Sequence, residues 1–223
     1  MARAYSEYFR STIGRKTLMG ITGLGLCGFV LIHMLGNLLV FVSADKFNHY
    51  SYALTSNPLI YIAEIGLLAF FLGHTMIALV VTVRNRMAKA GNYAVKPPSA
   101  RDATWAAKTL IYSGLVIFVF VVLHLITFKF GPHYPVNSNG VEKRDLYKLI
   151  VEVFSQPLYV AWYVFAMVLL ALHLTHSISA SMQTLGWFAS NGKRLRQVSV
   201  AFGVTVSAGF ILEALSVLLL GVH

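Results

Sequence analysis

The chain has 223 residues, of which 57% are hydrophobic and only 12% charged, and its mean hydropathy is +0.68. Soluble domains carry about 25% charged residues, so this composition is typical of a membrane protein. The single cysteine, Cys27, excludes a disulfide framework and any zinc or iron–sulfur centre held by cysteines of this chain. The net charge of +10 is concentrated at the ends of apolar runs, which indicates membrane topology and argues against nucleic-acid binding.

Five apolar segments are each long enough to cross a bilayer, which takes roughly 20 residues in a helix. Two shorter runs join across Glu64 into the second segment, and Pro157 suits the first turn of the fourth. The predicted helices are 17–43, 58–83, 105–129, 157–187 and 198–221. We therefore expect an all-α fold, with residues 1–223 forming one domain, a bundle of five transmembrane helices.

Lysine and arginine are distributed unequally between the two ends of this predicted bundle. One side carries Arg3, Arg10, Arg15, Lys16, Arg84, Arg86, Lys89, Lys96, Arg101, Lys108, Lys193, Arg194 and Arg196, and the other carries Lys46, Lys129, Lys143, Arg144 and Lys148. Positively charged segments are retained in the cytoplasm. The N-terminus is therefore expected to be cytoplasmic and the C-terminus outside, with residues 131–152 as the one substantial external loop.

Each of the first four predicted helices carries a histidine in its apolar interior. Counted at 1.5 Å per residue, His33 and His124 share an outer depth, and His74 and His173 share an inner depth about 15 Å away. Four histidines on four helices, paired at two depths, match the axial ligands of two bis-histidine haems.

Other interpretations of these histidines stay open at this point. A histidine in a membrane helix can instead form an interhelical hydrogen bond or belong to a proton relay. His176 competes with His173 in the motif LHLTHS, although His173 matches the depth of His74 more closely. His49 and His133 lie in loops and are not expected to be ligands.

Four longer motifs stand along the chain in the order STIGRKTLMGITGLGL, LIHMLGNLLVF, GHTMIALVVTVRN and LALHLTHSISASMQTLGW. In order and over nearly the whole length, they resemble the cytochrome b anchor subunit of succinate:quinone oxidoreductases, in the bacterial class with one large anchor and two haems. The external loop and the extreme termini are not matched. The resemblance implies two b haems, with His33 and His124 as the axial ligands of the outer one and His74 and His173 as those of the inner one.

The resemblance also implies partners and a location. In that family the anchor holds a flavoprotein and an iron–sulfur subunit at the bacterial cytoplasmic membrane and passes electrons to a quinone, here expected to be menaquinone; the whole complex can form a higher oligomer. Side chains near the inner helix ends are candidate contacts for haem propionates or quinone, with lipid headgroups as the alternative. They are Arg15, Lys16, Arg84, His176 and Lys193.

Two acidic residues, Glu64 and Glu213, are expected in the outer half of the membrane, near the depth of His33 and His124. Quinone reduction moves two protons with two electrons, so either carboxylate could serve as a proton donor or acceptor beside a quinone. The alternative, that they only form hydrogen bonds between helices, is equally open.

Two rival functions follow from the same residues. Some related quinol:fumarate reductases carry a glutamate two residues before the histidine matching His173, where this chain has Ala171. Its absence favours succinate oxidation, with a fumarate reductase anchor as the alternative. Outside this family, a transporter or proton channel without haem would also place histidines in membrane helices.

Overall fold

The computed structural model describes residues 7–8, 11–87, 98–138, 140–187 and 192–221, with 98–108 and 138 described by their backbone. This part of the chain contains helices α1 (Thr12–Asn37), α2 (Ala44–Thr55), α3 (Leu59–Met87), α4 (Pro98–His124), α5 (Leu146–Phe154), α6 (Pro157–Thr184) and α7 (Gly192–Leu220). A 3₁₀ helix (Leu38–Phe41) continues α1, and a π-helix (Leu125–Lys129) continues α4. Strands β1 (Pro135–Ser138) and β2 (Val141–Arg144) form an antiparallel hairpin.

Five segments are long and apolar enough to cross a membrane: Thr12–Phe41, Leu59–Met87, Thr109–Lys129, Pro157–Thr184 and Gly192–Leu220. They confirm the predicted all-α membrane bundle. The predicted helix ends were less accurate, because local hydrogen bonds and backbone conformation set them. The first helix begins at Thr12 rather than at residue 17, since the Ser11 hydroxyl accepts a hydrogen bond from the Gly14 amide at 3.0 Å.

The fourth span ends at Thr184 rather than at the predicted residue 187. Gly186 adopts a left-handed conformation with φ +77°, which leaves the α-helical path. The Trp187 amide then donates to the Met182 carbonyl at 2.9 Å, closing a Schellman motif. Such a C-terminus depends on one glycine and is not visible in the hydropathy pattern.

Four of the long helices form a ring. Helix α1 packs along α3 and α6, and α4 packs along α6 and touches α3 over a shorter stretch. It follows that α1 lies diagonally opposite α4, and α3 lies diagonally opposite α6. Helix α7 lies outside the ring, where it packs along α6 and also contacts α1.

The two ends of the ring differ in chemistry. We call one the hairpin end, because β1, β2, α2 and α5 lie there, and the other the basic end, where α1, α4 and α7 begin and α3 and α6 finish. Described cationic residues at the basic end are Arg15, Lys16, Arg84, Arg86, Lys193, Arg194 and Arg196. Arg3, Arg10, Lys89 and Lys96 lie outside the described residues, as do the side chains of Arg101 and Lys108. Which side of a membrane each end faces stays a prediction.

Buried Asn48 holds the hairpin end together. Its amide donates to Asp145 Oδ1 at 2.8 Å, and its carbonyl oxygen accepts from the Tyr147 amide at 3.0 Å. Asp145 also caps α5, accepting from the Lys148 amide at 3.0 Å. The segment 131–152, expected as a loop, is therefore largely a hairpin and a short helix tied to α2.

We predict that Asn48→Ala destabilises the hairpin end by about 2 kcal/mol, since it leaves the Tyr147 amide without its buried acceptor. Thermal unfolding in detergent and the rate of proteolysis within residues 131–152 measure the effect. The control is Asn57→Ala, which removes an exposed side-chain acceptor for the Leu59 amide and should cost at most about 1 kcal/mol. Equal losses in the two variants would contradict the role given to Asn48.

Candidate functional site

The structure brings the four membrane histidines together as two pairs. The ring centroids of His33 and His124 are 5.8 Å apart, with the rings edge-to-face at 89°. Those of His74 and His173 are 6.5 Å apart at 73°. Each pair joins diagonally opposite helices, α1 with α4 and α3 with α6, so both pairs lie across the middle of the ring. We call them the hairpin pair (His33 and His124) and the basic-end pair (His74 and His173).

The contacts of each pair fix the distance between the two levels. His74 lies against Thr22 of α1, 11 residues before His33, and His173 lies against Ser113 of α4, 11 residues before His124. At about 1.5 Å per residue both intervals correspond to roughly 16 Å along the helix axis. Two independent helices therefore give the same separation between the pairs.

Ring nitrogens of the basic-end pair are held by the neighbouring helices. His74 Nδ1 lies 3.2 Å from the Met19 carbonyl oxygen and 3.3 Å from Thr22 Oγ1, and His173 Nδ1 lies 3.1 Å from Ser113 Oγ. When Nδ1 carries the proton and donates it to such an oxygen, the lone pair of Nε2 is left for a metal. This is the usual arrangement of a metal-binding histidine.

The two members of the hairpin pair are held differently. His124 Nδ1 lies 2.7 Å from the Tyr163 hydroxyl, whereas His33 stacks on Phe29 with centroids 5.2 Å apart. Within the described chain the His33 ring forms no hydrogen bond. One turn further along α1, the side-chain amide of Asn37 donates a hydrogen bond to the His33 carbonyl at 2.9 Å.

The geometry of both pairs fits a metal ion bound between the rings. Bonds of about 2 Å from a metal to each ring nitrogen, plus roughly 1 Å from nitrogen to ring centre, put two opposed centroids about 6 Å apart. Among the described residues no group of three or more histidine, cysteine, aspartate or glutamate side chains is placed to hold a metal. A metal between either pair would have two imidazole ligands among the described residues, which is the protein's share of the ligands of a bis-histidine haem.

Arg15 supplies a second observation that fits an anionic group near the basic-end pair. Its Nη1 is buried and has no hydrogen-bond partner within the described chain. Arg15 precedes Met19, the residue that contacts His74, by one helical turn. Arg15 as a whole is only partly buried. An anion such as a haem propionate would give its buried Nη1 the hydrogen-bond partner that it lacks.

The other predicted contacts at the basic end lie at the surface. Lys16, Arg84 and Lys193 are exposed. His176 is half-buried one turn beyond His173, and in the described part of the chain it is His173 whose ring faces His74. The structure thus places Arg15 near the basic-end pair. Lys16, Arg84 and Lys193 are instead exposed to lipid or to a partner subunit.

The two acidic residues occupy different environments near the hairpin end. Glu64 on α3 forms an ion pair with Lys129 in the π-helix that follows His124, and both side chains are partly exposed. Glu213 on α7 is buried, with 4% of its surface exposed, and lies close enough to Tyr163 to interact with it electrostatically. Glu64 therefore joins α3 to the π-helix that follows α4, while Glu213 is buried on α7.

Three hydroxyl groups that contact the histidines were missed in the sequence: Thr22, Ser113 and Tyr163. Two of them have a recognisable spacing, since Thr22 and Ser113 both stand 11 residues before the histidine of their own helix.

In comparisons with known proteins, no protein-family model, curated protein or solved structure matches the chain. The resemblance noted in the sequence therefore stays a prediction, and the geometry of the two pairs carries the functional argument.

We predict that Gly23→Ala disturbs the basic-end pair. A β-carbon at residue 23 would lie 3.1 Å from His74 Cε1, a tight contact that displaces the ring from the Met19 carbonyl. The matched control is Gly28→Ala on the same helix, where a β-carbon has no neighbour within 4 Å. In protein loaded with haem, the low-spin spectrum and reduction potential should change for G23A and not for G28A; similar changes in both would count against a tight fit around His74.

Proposed function

We propose that this chain is a di-haem cytochrome b, the membrane anchor of a succinate:quinone oxidoreductase (respiratory complex II), which carries electrons between an iron–sulfur subunit and a membrane quinone. One observation carries the proposal: two histidine pairs, each bridging diagonally opposite helices, lie roughly 16 Å apart along the bundle. A haem with two histidine ligands has no open coordination position and supplies one-electron transfer. The resemblance of the motifs to that family supports the choice of complex.

The residues of the chain have clear tasks in this function. His33 and His124 would hold one haem, and His74 and His173 the other. Met19, Ser113 and Tyr163 keep three of the rings in place through Nδ1. Arg15 would hold a propionate at the basic end, where its Nη1 is buried without a partner in the described chain.

Quinone chemistry requires proton exchange as well as electrons. Glu213 supports a site near the hairpin end, because its carboxyl group is buried and close enough to interact electrostatically with Tyr163, whose hydroxyl contacts His124. Glu64 is the second acid at this end, and its ion pair with Lys129 gives it a structural partner as well. We assign proton exchange with quinone, expected to be menaquinone, to this pair of acids.

The basic end is proposed to face the cytoplasm of a bacterial cell and to bind the iron–sulfur subunit, which in turn carries the flavoprotein. Exposed Lys16, Arg84 and Lys193 support this orientation, since cationic residues at helix ends are retained in the cytoplasm. A haem held by the basic-end pair would be the first to receive electrons from the iron–sulfur subunit, with a haem at the hairpin pair or the quinone itself as the next acceptor. In this complex the chain contributes to the tricarboxylic acid cycle and to respiratory electron transport.

The direction of turnover is proposed to be succinate oxidation. Ala171 occupies the position where some fumarate reductases carry a glutamate, and its carbonyl faces Gly203 of α7. A β-carbon at residue 203 would lie 2.9 Å from that oxygen, so the two backbones approach closely here. Ala171 and Gly203 are small, which allows this close packing of α6 and α7. The side chain of Ala171 cannot carry a proton.

We predict that replacing one histidine of a pair removes the haem held by that pair and leaves the other haem bound. His124→Ala and His173→Ala should each lower haem from two to one per polypeptide, and the double variant should bind none. His176→Ala is the matched control on the same helix as His173 and should retain two. Pyridine haemochrome assay and reduced-minus-oxidised spectra measure this. Loss of a haem from H176A with retention in H173A would reassign the basic-end ligand, and unchanged absorbance in every variant would overturn the proposal.

The orientation is tested separately by cysteine labelling. In a Cys27→Ala background, Lys46→Cys at the hairpin end should react with a membrane-impermeant maleimide in intact spheroplasts. Lys193→Cys at the basic end should react only after permeabilisation. The reverse pattern would show that the basic end faces outward.

A further inference from the structure

Tyr163 on α6 is held rigidly by aromatic rings. Phe120 and Phe154 contact it edge-to-face, each with its centroid 4.8 Å away and at 76°. Tyr159 stacks on it at 6.0 Å, and only 6% of the tyrosine surface is exposed. Edge-to-face contacts of this kind each stabilise a ring orientation beyond simple burial. The direction in which Tyr163 presents its hydroxyl is therefore fixed before any ligand binds.

That hydroxyl lies 2.7 Å from His124 Nδ1, closer than any other protein group to a ring nitrogen of the four histidines in the described chain. If Nε2 of His124 binds iron, Nδ1 carries the proton and donates it to the phenol oxygen. The hydrogen bond then fixes both the rotation of the imidazole and its basicity.

We propose that Tyr163 is a positioning residue for the haem at the hairpin pair: it orients His124 and lowers the reduction potential of that haem. The inference rests on the proposed function and adds a residue to it. Donation from Nδ1 makes the imidazole a stronger electron donor, which stabilises ferric iron relative to ferrous iron. His33, the other ligand of this haem, has no such bond among the described residues. Tyr163 is therefore the residue that acts on this haem through one of its ligands, His124.

The test compares Tyr163→Phe with Tyr159→Phe in the full chain loaded with haem. Y163F removes the hydroxyl and keeps the ring, so the aromatic packing is preserved. Y159F is the matched control on the same helix, since the Tyr159 hydroxyl bonds Thr127 and leaves His124 untouched. Spectroelectrochemical titration resolves the two haem potentials, and electron paramagnetic resonance reports the relative orientation of the axial imidazoles.

In Y163F, one potential should rise while the other is unchanged. We expect a three- to tenfold shift of the ferric-to-ferrous ratio at fixed ambient potential, which is about 30–60 mV at 59 mV per tenfold for one electron. The resonance signal of the same haem should shift. Selective loss of one haem in Y163F, with both kept in Y159F, would also support the proposal.

Three results would overturn it: unchanged potentials in Y163F, the same change in Y159F, or loss of both haems in Y163F. The last would show that the tyrosine supports the bundle generally and does not act on His124 alone. These outcomes differ from failure of the proposed function, which appears in the unsubstituted chain as an absence of haem. A chain with two haems and an inert Tyr163 hydroxyl would leave the cytochrome function standing.

Discussion

Four imidazole rings lie inside an apolar bundle, and the need to satisfy their nitrogens constrains the rest of the structure. In hydrocarbon an unsatisfied polar group costs several kcal/mol, so each ring nitrogen needs a partner within the protein or a ligand. Among the described residues, each hydrogen bond to one of these four imidazole rings comes from an adjacent helix. His74 of α3 reaches α1, while His124 of α4 and Tyr163 of α6 reach each other. The same hydrogen bonds that orient the imidazole rings therefore also fix the order of the four helices in the bundle.

This constraint also explains why the helices can serve two levels at once. Helix α1 carries His33 at one level and Thr22 at the other, and α4 repeats the arrangement with His124 and Ser113. Helix α6 does the same with His173 and a tyrosine ten residues earlier. Each of these three helices thus offers one imidazole ring to its own pair and one hydroxyl group to the other pair. Helix α7 carries no histidine in its described part, and it braces α6 from outside the ring.

The sequence alone predicts some of these features well because they depend on length and depth only. Apolar length is sufficient for the five spans, and counting residues from the helix ends groups His33 with His124 and His74 with His173. Features that depend on helix rotation or on one capping residue are not accessible in this way. A helix that is apolar on every side gives no sign of which face meets its neighbour, so the hydrogen bond between His124 and Tyr163 cannot be predicted from the sequence. The fold of residues 131–152 depends on Asn48, a contact across 97 positions.

The most direct test of the central claim is the haem content of the purified, unsubstituted chain. The chain would be expressed with an adequate haem supply, isolated in mild detergent, shown to be folded, and assayed for haem per polypeptide together with its redox difference spectrum. Two low-spin b-type haems per chain is the expected result. A folded chain without haem would contradict the electron-transfer function and would leave the two histidine pairs as part of a proton or ion pathway.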